Sequence, residues 1–206
     1  MPLLKFMGLL KMDKIILNGN ERLQEYFFKK CIIETPSYFG NPSKYNIRID
    51  HFNGKNYLNN IQYPILFPRS TFEYINTLPK EKDVEYYFKG VITEKRKWIK
   101  KYEDTGIILN SNSGRDPSIK YDIDVDYFKS MCSSKFTLTP TGDCPWSYRF
   151  FEAIMCYSIP ILEDDTEDVY QHLFKSYRHS DQHVYNPLIA EYNIKILLDN
   201  FIPFDK

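Results

Sequence analysis

The chain has 206 residues, 43% of them hydrophobic and 17% aromatic, and its 27 basic and 27 acidic side chains leave no net charge. That length sustains one full hydrophobic core with an appendage and falls short of two full domains. A balanced charge excludes a global field that draws in nucleic acid or an anionic membrane surface, so a phosphate-bearing ligand needs a local pocket.

The elements read as follows in chain order. The apolar opening MPLLKFMGLLKM is interrupted by Lys5 and Lys11. It is too short for a bilayer span and lacks a small-residue cleavage site, so residues 1–12 read as an extension. KIIL (Lys14–Leu17) reads as a strand, and Glu21 to Lys30 as a helix with Leu23, Tyr26 and Phe27 at helical spacing. A loop rich in proline and glycine follows over 34–46. Then comes an alternating strand over 46–52 and a turn at Asn53–Gly54. From Glu85 the order sharpens. EYYFKG (Glu85–Gly90) is a strand, and TEKRKWIKKY (Thr93–Tyr102) a charged helix capped by Thr93. GIILN (Gly106–Asn110) is a strand, Asp124 to Ser133 a helix, and KFTLTP (Lys135–Pro140) a strand. Ser147 to Tyr157 is a helix and IPILE (Ile159–Glu163) a strand, with helices expected over 167–175 and 188–200.

Strand and helix alternate with short connections. That order predicts an α/β fold, a Rossmann-like parallel sheet with helices on both faces. Ligands bind such sheets beyond the carboxyl ends of the strands. The expected division is an extension over 1–12, a reduced amino-terminal and possibly acceptor-side region over 13–80, and a ligand-binding domain over 81–206.

The segment Ser133–Asp165 carries the chemistry. It is a strand, a loop with Pro140, Gly142, Asp143 and Pro145, a helix opening at Ser147, and a second strand. A helix N-terminus exposes free amides and partial positive charge, which suits a diphosphate. Ser147 adds a hydroxyl, and Arg149 a permanent charge with a planar fork. Glu152, three residues on, can accept from both hydroxyls of a ribose. The same residues also describe a capped helix with an Arg–Glu surface pair, and spacing alone leaves the two readings even.

Lesser candidates lie elsewhere. DIDVD (Asp122, Asp124, Asp126) has the look of a metal set, but it stands just before a helix, where capping is the stronger reading. Asp165, with Asp164, follows a strand and lies at the binding edge or caps the next segment. Arg115 and Lys120 lie in the loop after GIILN. Asp50, His51 and Glu34 are the polar groups available as a base in the amino-terminal part, with Asp50 preferred. His172, His179 and His183 show no paired spacing. Cys31, Cys132, Cys144 and Cys156 form no CxxC pair and no zinc spacing. Scattered thiols point to a reducing compartment, and with no span in sight the expectation is a soluble cytoplasmic protein.

One ordered block carries a resemblance. Tyr127-x3-Met131-x2-Ser134-Lys135-Phe136 is followed by Thr137-Leu138-x-Pro140-x-Gly142-Asp143-x-Pro145 and Ser147-x-Arg149-x2-Glu152-Ala153-Ile154. Ile159-Pro160-Ile161 and Asp164 or Asp165 close it. The block resembles the exostosin family of glycosyltransferases, as do Tyr87-Phe88-x-Gly90 and Arg96 upstream, over residues 84 to 165. The resemblance implies the carboxyl-terminal, donor-binding half of a GT-B enzyme and an inverting transfer. The implied donor is a nucleotide-sugar, UDP- in preference to GDP-, and the acceptor a glycan or glycoprotein. It places Ser147 and Arg149 at the diphosphate and Glu152 at the ribose, with Gly142, Asp143 and Asp165 around the donor; Arg115 is a donor candidate only by its loop's place at the binding edge, against the reading of a solvated loop charge. No metal or other cofactor is implied, because Arg and helix dipoles stabilise the leaving diphosphate. A non-catalytic nucleotide-binding or partner domain of a larger glycan-synthesising assembly is the alternative. The chain departs from the family in its short length and in carrying Cys156-Tyr157 where a small residue or glycine is common.

Overall fold

A computed structural model describes residues 15–18, 47–50, 56–58, 61–63, 69–111, 124–142, 147–167 and 171–200, the first four strands by their backbone alone. The chain divides into two compact units, Met1–Ser70 with Asn200–Lys206, and Thr71–Asp199. The expected helix over 21–30, the loop over 34–46 and the turn at Asn53–Gly54 lie outside the described residues.

In the first unit, β1 (Ile15–Asn18) and β2 (Ile47–Asp50) pair in parallel, and β3 (Asn56–Leu58) and β4 (Ile61–Tyr63) continue the sheet antiparallel. The last two strands are too short to announce themselves by alternation.

Helix α1 (Arg69–Thr77), which the sequence pattern did not predict, has all but its first two residues in the second unit, which is built on one parallel sheet. Its strands are β5 (Val84–Gly90), β6 (Gly106–Asn110), β7 (Ser134–Leu138), β8 (Ile159–Leu162) and β9 (Tyr177–Arg178), in spatial order β6-β5-β7-β8-β9. Helices α2 (Val125–Cys132), α3 (Tyr148–Met155) and α4 (Pro187–Asn200) complete it. The expected α/β architecture with an all-parallel sheet is therefore the one observed. All four residues of β8 are buried, the mark of a strand covered on both faces.

One face of the sheet gathers Phe88, Phe136, Leu138, Ile159 and Ile161 against Ile99 and Tyr102. Each such side chain contributes about 1.5–3 kcal/mol on burial. Thr137 Oγ1 and Ser158 Oγ, both buried, share a hydrogen bond of 2.7 Å. Pro160 sits inside β8 without breaking a ladder. Ile161 O accepts from Thr139 N on the β7 side, so Pro160 nitrogen faces β9, whose pairing begins only at Ile161.

The charged helix differs from expectation. Glu94–Tyr102 is a 3₁₀ helix, and Thr93 makes no side-chain cap. Buried Ile99 and Tyr102 stand three apart with half-buried Arg96 in the same column, the period of a 3₁₀ turn. Five cations in nine residues weaken the alternative α-helix by like-charge repulsion. The expected helix over 167–175 is corrected in part: residues 168–170 lie outside the described residues, Gln171–Leu173 form a short 3₁₀ turn, and residues 174–176 are irregular. No helix among the described residues is long and apolar enough to cross a membrane.

Two backbone positions carry testable consequences. Tyr157, just past α3, has φ 56°, in the left-handed region that burdens a bulky residue and suits glycine. Tyr157→Gly should stabilise the chain by about 1 kcal/mol, a rise of roughly 2–4 °C in Tm by thermal denaturation. A Cβ at Gly106 would lie 2.5 Å from Tyr86 O, a backbone atom that cannot swing away. Gly106→Ala should lower stability by about 1–3 kcal/mol in the same assay.

Candidate functional site

The carboxyl ends of β5, β7 and β8 open onto one edge of the sheet, and α3 begins there. Ser147 has extended geometry (φ −137°, ψ 151°) and its carbonyl accepts the first helical bond from Phe150 N at 3.1 Å. Its side chain makes no cap. Ser147 Oγ is buried and has no hydrogen-bond partner among the described residues.

Arg149, in the first turn, bends over the end of β5. One terminal nitrogen donates to Lys89 O at 2.8 Å, and the guanidinium lies 4.7 Å from the Phe88 ring centroid, within cation–π range. Gly90 makes the approach possible: a Cβ there would sit 2.9 Å from that nitrogen and 3.2 Å from the Phe88 ring. Arg149 Nε is buried and has no partner among the described residues. A buried guanidinium N–H left without an acceptor is costly, so its presence at a sheet edge suited to ligands is a functional signal.

Glu152 lies one turn further along α3. Tyr127 OH, from α2, donates to Glu152 Oε2 at 2.6 Å. Burial, reinforced by the Glu152 charge, holds the Tyr127 hydroxyl far above its ordinary pKa, so it remains a donor. The Tyr87 ring meets Tyr127 edge-on with centroids 5.9 Å apart. Tyr87 OH is buried and unpartnered among the described residues. Burial, with the charge of Asp124, raises its pKa strongly as well. Asp124 does the capping expected of it: Oδ1 accepts from Tyr127 N at 3.0 Å and Oδ2 pairs with Lys89 Nζ at 2.7 Å. Among the described residues no three His, Cys, Asp or Glu side chains cluster as a metal set.

The rim is tied by a carboxylate that spacing did not single out. Glu163, 9% exposed, accepts from Trp98 Nε1 at 3.1 Å, Thr141 N at 3.1 Å and Thr141 Oγ1 at 2.6 Å. Arg96 donates to Val91 O at 3.1 Å and to Thr141 O at 2.7 Å. These contacts moor the loop after β7 to the 3₁₀ helix and to the end of β8.

The remaining sequence candidates scatter. Gly142 is exposed, with nothing within 4 Å of an added Cβ. Asp165 is exposed, while Asp164 Oδ1 accepts from Ser180 N at 3.2 Å and Ser180 Oγ at 2.9 Å. Asp50 closes β2 in the other unit, and its side chain lies outside the described residues, as do Glu34, His51, Arg115, Lys120, Asp122 and Asp143. His179 stacks on Trp98 at 5.3 Å, and His183 bridges Tyr86 OH and Arg178 O, so both serve packing. The structure thus groups Ser147, Arg149 and Glu152 on one helix. It adds Tyr87, Lys89 and Tyr127 around them and Glu163 on the rim. The first three answer to helix spacing. The others are joined to them only by tertiary contact.

No curated protein gives a significant match to the chain. The family model of the exostosin GT47 domain matches residues 55–177, a span that takes in β5 to β8 of the parallel sheet and ends at the first residue of β9. With more than half its length matched and the expected sheet in place, the chain belongs to the exostosin GT47 family of glycosyltransferases.

Proposed function

We propose that the chain transfers a sugar, with inversion, from a nucleotide-sugar to a glycan or glycoprotein hydroxyl, with UDP- preferred to GDP- as the donor nucleotide. The observation that carries the reading is the pair of buried groups at the start of α3, Ser147 Oγ and Arg149 Nε, that have no partner among the described residues and lie on the carboxyl edge of a parallel sheet. Diphosphate oxygens supply the acceptors those groups lack, and the free amides of the helix add to them.

In this mechanism the acceptor oxygen attacks the anomeric carbon from the face opposite the nucleotide. The bond from that carbon to the diphosphate oxygen breaks, and a base takes the acceptor's proton. Negative charge grows on the departing diphosphate, where Arg149 and the α3 amides are already oriented. Lys89 O and the Phe88 ring hold the guanidinium in place, so little reorganisation accompanies the step. Glu152, which accepts from Tyr127 through Oε2, is assigned to the ribose hydroxyls. No metal is required in this scheme.

Two variants test the assignment. Arg149→Ala should weaken UDP binding by about 1.5–3 kcal/mol, roughly 10- to 100-fold by calorimetry. Unchanged affinity in a folded variant would reject the diphosphate site. Glu152→Gln should erase the preference for UDP over its 2′-deoxy form. A preference of the same size in both proteins would remove Glu152 from the ribose. Transfer should persist in excess chelator, measured as product formed over a panel of UDP- and GDP-sugars.

A further inference from the structure

Tyr127 and Glu152 stand 25 residues apart in the sequence and on different helices, so no local spacing brings them together. The fold does: the Tyr127 hydroxyl of α2 donates to Glu152 Oε2 of α3 at 2.6 Å. That length is in the range of a charge-assisted bond between a hydroxyl and a carboxylate, roughly twice as strong as a neutral one. A glutamate on a helix has several side-chain torsions to fix before its carboxylate can serve a ligand. A donor from a neighbouring helix fixes them beforehand.

Tyr127 is itself held on several sides. Its ring meets the Tyr87 ring edge-on with centroids 5.9 Å apart, and the Phe128 ring at 5.1 Å. Its backbone amide donates to Asp124 Oδ1 at 3.0 Å. Asp124 Oδ2 in turn accepts from Lys89 Nζ at 2.7 Å. Lys89 is also the residue whose carbonyl accepts from Arg149 at 2.8 Å. One residue of β5 therefore ties both ends of the candidate donor site. Its carbonyl holds Arg149, and its ammonium reaches Glu152 by way of Asp124 and Tyr127. The side chains assigned to diphosphate and ribose share a single anchor, and their spacing is set by β5 and α2 as well as by the pitch of α3.

We propose that Tyr127 is a positioning residue for donor selectivity: it presents the Glu152 carboxylate to the ribose hydroxyls at a fixed distance from Arg149, so that the site favours ribonucleotides over deoxyribonucleotides. The proposal rests on the reading of Glu152 as the ribose contact. It adds that selectivity belongs to the pair and not to Glu152 alone. Tyr127 acts through Glu152 and is assigned no donor contact of its own. Without its hydroxyl the carboxylate regains torsional freedom, which binding must then remove.

Calorimetry on the full chain with UDP, 2′-deoxy-UDP and inorganic pyrophosphate separates ribose effects from phosphate effects. Tyr127→Phe keeps the ring contacts and removes the hydroxyl. UDP should bind it about 3- to 10-fold more weakly. The preference for UDP over 2′-deoxy-UDP should shrink toward one, and pyrophosphate should bind as in the wild type. An unchanged preference would overturn the proposal, and so would a parallel loss for pyrophosphate, the mark of a helix merely loosened. Glu152→Gln, run alongside, distinguishes the two levels. If it erases the preference while Tyr127→Phe retains it, Glu152 stays at the ribose and Tyr127 loses its role. If the wild type shows no preference, or Glu152→Gln leaves it intact, the ribose reading fails and this proposal with it. Should Tyr127→Phe fail to fold, Asp124→Ser keeps an oxygen for the Tyr127 amide but drops the Lys89 pair. The same pattern is expected there at smaller size, and a preference of wild-type size in that variant would reject the positioning role.

Discussion

The seating of Arg149 on the end of β5 is the contact around which the candidate site is arranged. A guanidinium loses much hydration when it leaves water, and one hydrogen bond to Lys89 O with one aromatic face restores only part of it. The group is thereby held in direction but not exhausted as a donor. Gly90 is the steric condition for this, since any side chain there meets the arginine or Phe88. The glycine ending β5 is therefore explained by a residue 59 positions later in the chain.

Around that contact two layers of support can be distinguished. Beneath it, α2 reaches α3 through Tyr127 and Glu152, and reaches β5 through Asp124 and Lys89. On the rim, Glu163 gathers three hydrogen bonds from Trp98 and Thr141, and Arg96 adds two more. The first layer orients the helix that carries the candidate donor contacts. The second fixes the loop that leads into that helix. A loop that must present its backbone to a ligand is best tied by side chains from elements that do not move with it.

Much of the fold was legible from periodicity, and the reason is physical. β8 is covered on both faces and apolar throughout, and in β7 every residue but Lys135 is apolar or small and buried. α2 is announced by an aspartate that does cap it. Legibility failed where structure is set by partners distant in sequence. β9 has two residues and exists because β8 is there to pair with it. Glu94–Tyr102 was read as an ordinary helix because a period of three and one of 3.6 differ little over so short a span. Within the site, Ser147, Arg149 and Glu152 follow from one helix. Glu163 read only as the end of a strand, because nothing local shows that Trp98 and Thr141 converge on it. Tyr87 read only as a residue of the strand ending at Gly90; its ring is core, and its buried hydroxyl has no partner among the described residues.

The buried hydroxyl pair joining β7 to β8 has a consequence for how this chain can diverge. Thr137 and Ser158 satisfy each other in a place water does not reach. Losing either partner strands the survivor at a cost of about 1–3 kcal/mol, whereas exchanging both for apolar residues of matching volume is nearly neutral. The two sites are separated by an evolutionary valley that single steps cross only at a loss. Among descendants of this sequence, positions 137 and 158 should change hands together or not at all.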